Sequence, residues 1–339
     1  MIDSGAPKVA DSSATDPELP PLCVVIPTKN RQADLARCLA ALEHQTEKSF
    51  VVLVINNGSG VEYDGPLSIR ILDATQKSFT PLLNLGWEAQ GNEIIAYLND
   101  DSEPEEGWVN SLLECFRIHS EARAVGGPTI DMRPRRMFSI YQETTSSPIV
   151  RLFVNFYERA LLKGNVNDIG RVSDIGAYGL GGSMTESLKL DRDIEVDCLT
   201  VTNCAFTRDT LRRLGGFDES FQQNHADGDF FARMKRNGLA MIFSPKVVVY
   251  HHVNPTGPVR NPGTLGRDFA LYYFKDFRPK GLRVSARFYM QIAILMTFWV
   301  REACVNGRLA YLSAIARFIG ATPAAIKSSE VPRRVIEPV

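Results

Sequence analysis

Leu22-Cys23-Val24-Val25-Ile26-Pro27-Thr28-Lys29-Asn30-Arg31 is a run of five apolar residues followed by a polar turn. Apolar, β-branched residues bounded by such a turn read as a buried strand, Leu22–Ile26. Downstream, Leu35, Leu39 and Leu42 recur at i, i+4 and i+7, which predicts an amphipathic helix running to about His44. Strand-like runs return at Val51–Ile55, Ile69–Leu72 and Ile94–Leu98. Strands alternating with helices build βαβ units, so the expected class is α/β, with a Rossmann-like, mainly parallel mixed sheet flanked by helices.

Outward from this core, 44% hydrophobic and 23% charged residues in a chain of 339 exclude a fibrous or wholly disordered protein. A formal net charge of -1 builds in no global attraction to nucleic acid, and no nucleic-acid partner is expected. The six cysteines are scattered, none in C-x-x-C spacing, which points to a reduced, cytoplasmic setting. Met1-Ile2-Asp3-Ser4-Gly5 has neither a basic nor an apolar secretion region, so no secretion signal is expected.

Three segments follow. Residues 1–20, rich in Asp, Ser, Ala and Pro, read as a disordered lead-in. Residues 21–255 hold the α/β domain, and 256–339 a mostly helical C-terminal extension. Within the domain, Gly126 to Gly182 mixes aromatic, basic and Gly-rich pieces without a usable pattern. Order returns with Val196–Phe206, the Gly215-Gly216-Phe217-Asp218 turn, and a helix from about Asp227 to Asn237 closed by Gly238. Ala240–Tyr250 reads as a strand ending in His251-His252. In the extension, Phe288–Val300 is an apolar run shorter than the roughly 20 residues of a membrane span. Flanking Lys280, Arg283, Arg287, Arg301, Arg308 and Arg317 suit a helix lying peripherally in a membrane interface. Packing on the domain or on a second copy in a homo-oligomer fits equally.

In open α/β sheets the ligand crevice lies beyond the carboxyl ends of the strands. Three polar clusters stand there and should converge: Thr28-Lys29-Asn30-Arg31, Asn56-Asn57-Gly58-Ser59 and Asn99-Asp100-Asp101-Ser102-Glu103. Adjacent carboxylates after a buried strand repel, and a divalent cation relieves them. Alternation along an extended segment puts Asn99 and Asp101 on one face and turns Asp100 away. Asp101 is therefore the expected metal ligand and Asp100 the partner of a ligand hydroxyl or of metal-bound water; a solvated acidic turn, with Glu103, Glu105 and Glu106 following closely, is the alternative. Asp227 sits where a helix N-cap is expected, Asp229 and Arg233 read as a surface i, i+4 ion pair, and His251 can complement an acidic Mn²⁺ or Mg²⁺ site.

The order and spacing of these motifs resemble glycosyltransferase family 2, inverting enzymes of the GT-A fold. The blocks are Cys23–Arg31, Val54-Ile55-Asn56-Asn57-Gly58-Ser59, Asn84-Leu85-Gly86 ahead of Ala96–Asp101, Thr202–Phe206 with Gly215–Glu219 and Ala226-Asp227, and Val249-Tyr250-His251. The resemblance implies metal ligation by Asp101 and His251, with Asp227 as general base. It implies a nucleotide-sugar site along Pro27, Thr28, Asn30, Arg31, Asn56, Asn57, Asn84, Asn99 and Asp100. Asn203, His225 and Asp229 fall to the acceptor side, and the acceptor would be a glycan or a lipid-linked molecule. Asn57 and Asn99 stand where many members have Asp, and Ala226 replaces the usual Glu. A sugar-1-phosphate nucleotidyltransferase would want a Gly-rich phosphate loop, which Pro27–Arg31 lacks. A catalytically degenerate binding domain is the other alternative, opposed by the joint retention of Asp101, Asp227 and His251.

Overall fold

The structure is a computed structural model that describes residues 21–132, 148–179, 187, 190–252, 262–305 and 307–328. The expected lead-in, 1–20, lies outside the described residues.

The four expected strands form β1 (Leu22–Thr28), β2 (Phe50–Asn56), β3 (Ile69–Asp73) and β4 (Ile94–Leu98), with α1 at Gln32–Glu43 and α2 at Thr80–Glu88. Parallel pairing β3-β2-β1-β4 makes one half of an eight-stranded sheet. The β1–β4 ladder ends at Val25–Tyr97, so the missing N–H of Pro27 leaves no gap on that side. The other half adds β9 (Asn203–Thr207), β6 (Ala122–Gly126), β10 (Ala240–Phe243) and β8 (Ile194–Glu195). Here β9 runs antiparallel to both β4 and β6.

Both faces of the sheet are covered, which is why β1 reads as a continuous apolar run rather than an alternating one. Leu22, Val24 and Ile26 pack under Leu35, Leu39 and Leu42 of α1 and under Trp108 and Leu112 of α3 (Trp108–Ile118). Cys23 and Val25 face Leu82 and Leu83 of α2, with Phe206, Phe217, Phe230 and Phe231 beyond. Gly86 lets α2 approach this face: a Cβ there would stand 2.4 Å from Val25 Cγ1.

The expected strand Ala240–Tyr250 is two strands. The segment around Pro245 turns out of the ladder after β10, and β11 (Val249–His251) enters a separate sheet between β5 (Ser102–Pro104) and β7 (Thr129–Asp131). Proline lacks the N–H that a continuing ladder needs. His251 thereby pairs with Ser102 on one side and Asp131 on the other.

After β7 come α4 (Pro148–Phe156), a π-turn at Tyr157–Leu162, α5 (Arg208–Leu214) and α6 (Ala226–Arg236). The extension is helical as expected: α7 (Pro262–Leu271) runs into a π-turn, Tyr272–Asp276, and α8 (Leu282–Cys304) and α9 (Ala310–Ser328) pack back onto it. Gly266 permits the α7–α9 approach, because a Cβ would meet the Ala314 carbonyl. Among the described residues no helix is long and apolar enough to cross a membrane.

Candidate functional site

β4 delivers Asn99, Asp100 and Asp101 into a turn closed by the Ser102 N–H on the Asn99 carbonyl. Asp100 and Asp101 are only 5% and 4% exposed, so their charges need partners close by. Arg31 Nη1 donates to Asp100 Oδ1 at 2.9 Å and to Asp101 Oδ2 at 3.1 Å. Thr28 Oγ1 donates to Asp100 Oδ2 at 2.8 Å. His251 Nε2 stands 3.0 Å from Asp101 Oδ1, and the His252 N–H donates to the Asp101 carbonyl. Burial still holds the Asp100 carboxyl above its ordinary range, against the opposing pull of Arg31 and Thr28. The expectation that Asp100 turns away from Asp101 is corrected here. Period-2 alternation does not hold inside a turn, and both carboxylates converge on one guanidinium.

The strand-end clusters meet. Asn30, in the left-handed region at φ 55°, accepts through Oδ1 from the Ser59 N–H and hydroxyl, and the Asn57 N–H donates to the Thr28 carbonyl. Thr28, Asn30, Arg31, Gln32, Ser59, Gly60 and Val61 line a cavity of about 130 Å³. Pro27 is buried in β1 beneath it. Asn56, 2% exposed, donates to Asp73 Oδ1 and accepts from the Gly58 N–H, while Asn57 exchanges two hydrogen bonds with the Gln76 backbone. These two amides shape the loops around the cavity. Asp73, which motif reading passed over, is an exposed carboxylate ending β3 in register with Asn56. The strand-end rule that selected the other clusters would have found it.

Asp227 lies across from this turn along a short chain of contacts. Its Oδ1 accepts from the Gly228 N–H at 2.8 Å and its Oδ2 from the Val201 N–H at 3.4 Å. The next residue, Thr202, accepts through Oγ1 from Asn99 Nδ2. The expected N-cap role is corrected: His225, at φ 58°, caps α6 and Asp227 is its second residue. Desolvation pushes the Asp227 carboxyl above the usual carboxylate range, partly offset by those two backbone donors. The His225 ring stacks on Tyr272 at 4.3 Å and meets the edge of Phe269 at 4.2 Å. Enclosure lowers its pKa to about 4, so it is neutral at pH 7.

Three expected ligand-facing residues have other partners. Asn84 accepts from the Phe217 N–H and donates to the Phe217 carbonyl and Glu219, anchoring the Gly215–Glu219 loop. Asn203, wholly buried, accepts from Trp108 Nε1 and donates to the carbonyls of Pro128 and Val247. Asp229 is buried, not at the surface: Arg233 Nε donates to it at 2.7 Å, and Arg233 also donates to the Leu214 and Gly216 carbonyls. The i, i+4 spacing gave the pair correctly but not the face it occupies, which α6 turns toward the Gly215-Gly216 turn.

The large, mostly parallel sheet flanked by helices is a GT-A fold, shared with the solved structures named below. Residues 23–165 match the family model for glycosyl transferase family 2. A chondroitin synthase from Escherichia coli is 26% identical over 285 residues, which are 76% of this chain. The chain spans 38% of the length of that relative. Among solved structures, S. aureus TarS 1–349 in complex with UDP-GlcNAc aligns with TM-score 0.56 and 12% identity, covering 91% of this chain and 83% of that one. The mannosyltransferase PcManGT from Pyrobaculum calidifontis, in complex with GDP-Man and Mn²⁺, aligns at 0.50 and 17%, covering 93% and 77%.

Proposed function

We propose that this chain moves a sugar from a nucleotide-diphosphate sugar to a hydroxyl of a glycan or lipid-linked acceptor, inverting the anomeric centre. The observation that carries this reading is the meeting of Asp101 with His251, 150 residues apart, beside a cavity walled by the β1 and β2 loops. The structural relatives solved with GDP-Man and Mn²⁺ and with UDP-GlcNAc support the donor class, and the chondroitin synthase supports a polysaccharide acceptor.

Asp101 and His251 are the proposed metal ligands. Bonds of about 2.1 Å set at right angles leave about 3 Å between neighbouring donors. The 3.0 Å between Asp101 Oδ1 and His251 Nε2 fits that spacing, and a carboxylate–imidazole pair suits Mn²⁺ or Mg²⁺. When bound, the ion supplies charge neutralisation for the leaving diphosphate. Arg31 adds a fixed positive charge on the donor side, held there by Asp100. Thr28, Asn30 and Arg31 bear on the nucleotide, with Asn56 and Asn57 keeping the loops in shape. Asp227 takes the acceptor proton as the new C1–O bond forms and the bond to the diphosphate breaks. A carboxylate raised toward neutral pH is a better base than an ordinary one.

We infer that the C-terminal helices hold this chemistry at a membrane surface. Residues 278–328 hold eight Lys or Arg against one Asp or Glu, and Leu282, Tyr289, Met290, Leu309 and Ile319 are exposed among them. Flotation with vesicles containing anionic lipid should retain the chain at low salt, and Leu309→Glu with Ile319→Glu should release it. Equal retention of that variant, or its sole effect being loss of a dimer, would overturn this assignment.

The test of transfer is nucleotide release from UDP-, dTDP- and GDP-sugars with Mn²⁺ or Mg²⁺. Asp101→Ala should weaken donor use, whereas Asp227→Asn should keep donor binding and lose transfer. Tight acceptor binding without turnover of any donor would instead favour a binding module.

A further inference from the structure

We propose that Cys115, His119 and Asp193 form a second cation site, of the thiolate-containing class that prefers zinc. It shares no residue with the Asp101–His251 pair. Cys115 and His119 stand four residues apart at the C-terminal end of α3, so both project from one face of the last turn. Asp193 arrives from the segment entering β8. Its Oδ2 lies 3.0 Å from His119 Nε2 and 3.8 Å from Cys115 Sγ, and all three donor atoms fall within 4.8 Å of one another. Tetrahedral zinc, with bonds of about 2.1 Å to N or O and 2.3 Å to S, separates its ligands by about 3.4–3.7 Å. The observed spacings bracket that range, so small side-chain rotations suffice.

The surroundings are those of a ligand set. Glu121 Oε1 stands 3.5 Å from His119 Nδ1, on the far side of the ring from Asp193. Moved a few tenths of an ångström toward the ring, that carboxylate would accept the Nδ1 proton's hydrogen bond and leave the Nε2 lone pair for an ion, as an outer partner of a metal-bound histidine does. Cys115 is 2% exposed, while the His119 and Asp193 side chains are 26% and 20% exposed. That leaves a path of entry and room for a water as fourth ligand. Binding takes Cys115 as the thiolate, its proton passing to the buffer. Sulfur sorts the two sites: a soft thiolate selects zinc-like ions, whereas the Asp101–His251 pair has only oxygen and nitrogen. The ion would clip the α3–β6 corner to β8, a two-residue edge strand paired only with β10 among the described residues.

Cobalt(II) reads this site directly, because a cobalt–thiolate bond gives a charge-transfer absorption that oxygen and nitrogen ligands do not. Chelator-treated full-length protein should take up one equivalent of Co²⁺ with that absorption, and Zn²⁺ should displace it. The signal should vanish in Cys115→Ser and His119→Ala and persist in Asp101→Ala. Zn²⁺ should raise Tm in the wild type and in Asp101→Ala but not in Cys115→Ser, with circular dichroism verifying that each variant is folded. Cys38, buried beneath the Asp100–Asp101 turn, is the competing thiol. Absorption missing from the wild type, or surviving Cys115→Ser and lost in Cys38→Ser, would overturn the assignment.

Discussion

Asn203→Ala separates a structural amide from an acceptor-binding one. The substitution removes three hydrogen bonds in a fully buried setting. The Pro128 carbonyl keeps the Val249 N–H as a partner, so its loss is small. The Trp108 indole N–H and the Val247 carbonyl lose the partner that Asn203 gives them. At about 1–3 kcal/mol for each of these two buried groups left unsatisfied, the cost is about 2–6 kcal/mol. That is a large part of the stability of an ordinary domain. Urea unfolding followed by tryptophan fluorescence should show the midpoint falling with the slope unchanged. Val247 leads into β11, so cation affinity at His251 should weaken as well. A cost below about 1 kcal/mol, together with a raised KM for acceptor alone, would refute the reasoning and return Asn203 to the acceptor side.

Arg233→Met leaves Asp229 in the interior without its closest cation and should cost about 3–5 kcal/mol, visible as a lower Tm. Burial raises the Asp227 carboxyl above an ordinary carboxylate, so kcat/KM should fall as pH drops through that raised value, and the acid limb should lie higher than that of an exposed carboxylate base. The same shift has an opposite sign for stability. The folded state favours the protonated form, so this contribution is full below the unfolded pKa and is lost as pH rises through the folded one. Asp227→Asn should therefore raise Tm at pH 7 while removing transfer; a lower Tm would contradict the burial argument. Gly86→Ala drives a methyl against Val25 and should cost about 1–3 kcal/mol in denaturant melts without altering the cation requirement.

The α/β class and four strands were legible because their apolar runs are local and bounded by turns. The convergence of Thr28, Arg31, Asp100 and Asp101 followed from the rule for strand ends alone. What stayed hidden depends on distant backbone. Asn84 and Asn203 look like ligand-facing amides, yet Asn84 partners Phe217, 133 residues away, and Asn203 partners Trp108, 95 residues away. No spacing in the sequence reveals such pairs. Asp229 was misplaced because an i, i+4 ion pair looks the same in sequence whether its helix face is wet or packed. Ala240–Tyr250 was read through Pro245 because its apolar character continues even where the ladder cannot. Asp193 joins Cys115 and His119 only in three dimensions, across 78 and 74 residues.

β11 is three residues long and gripped by a neighbour on each side. Side chains alternate along it, so slipping its register by one position would swing the His251 imidazole to the opposite face and leave Asp101 without it. Substitutions that keep an apolar residue at Val249 leave that alignment intact, but a single-residue deletion between Ser244 and Val248 should not. The length of this connector is thus a more stringent requirement than its composition.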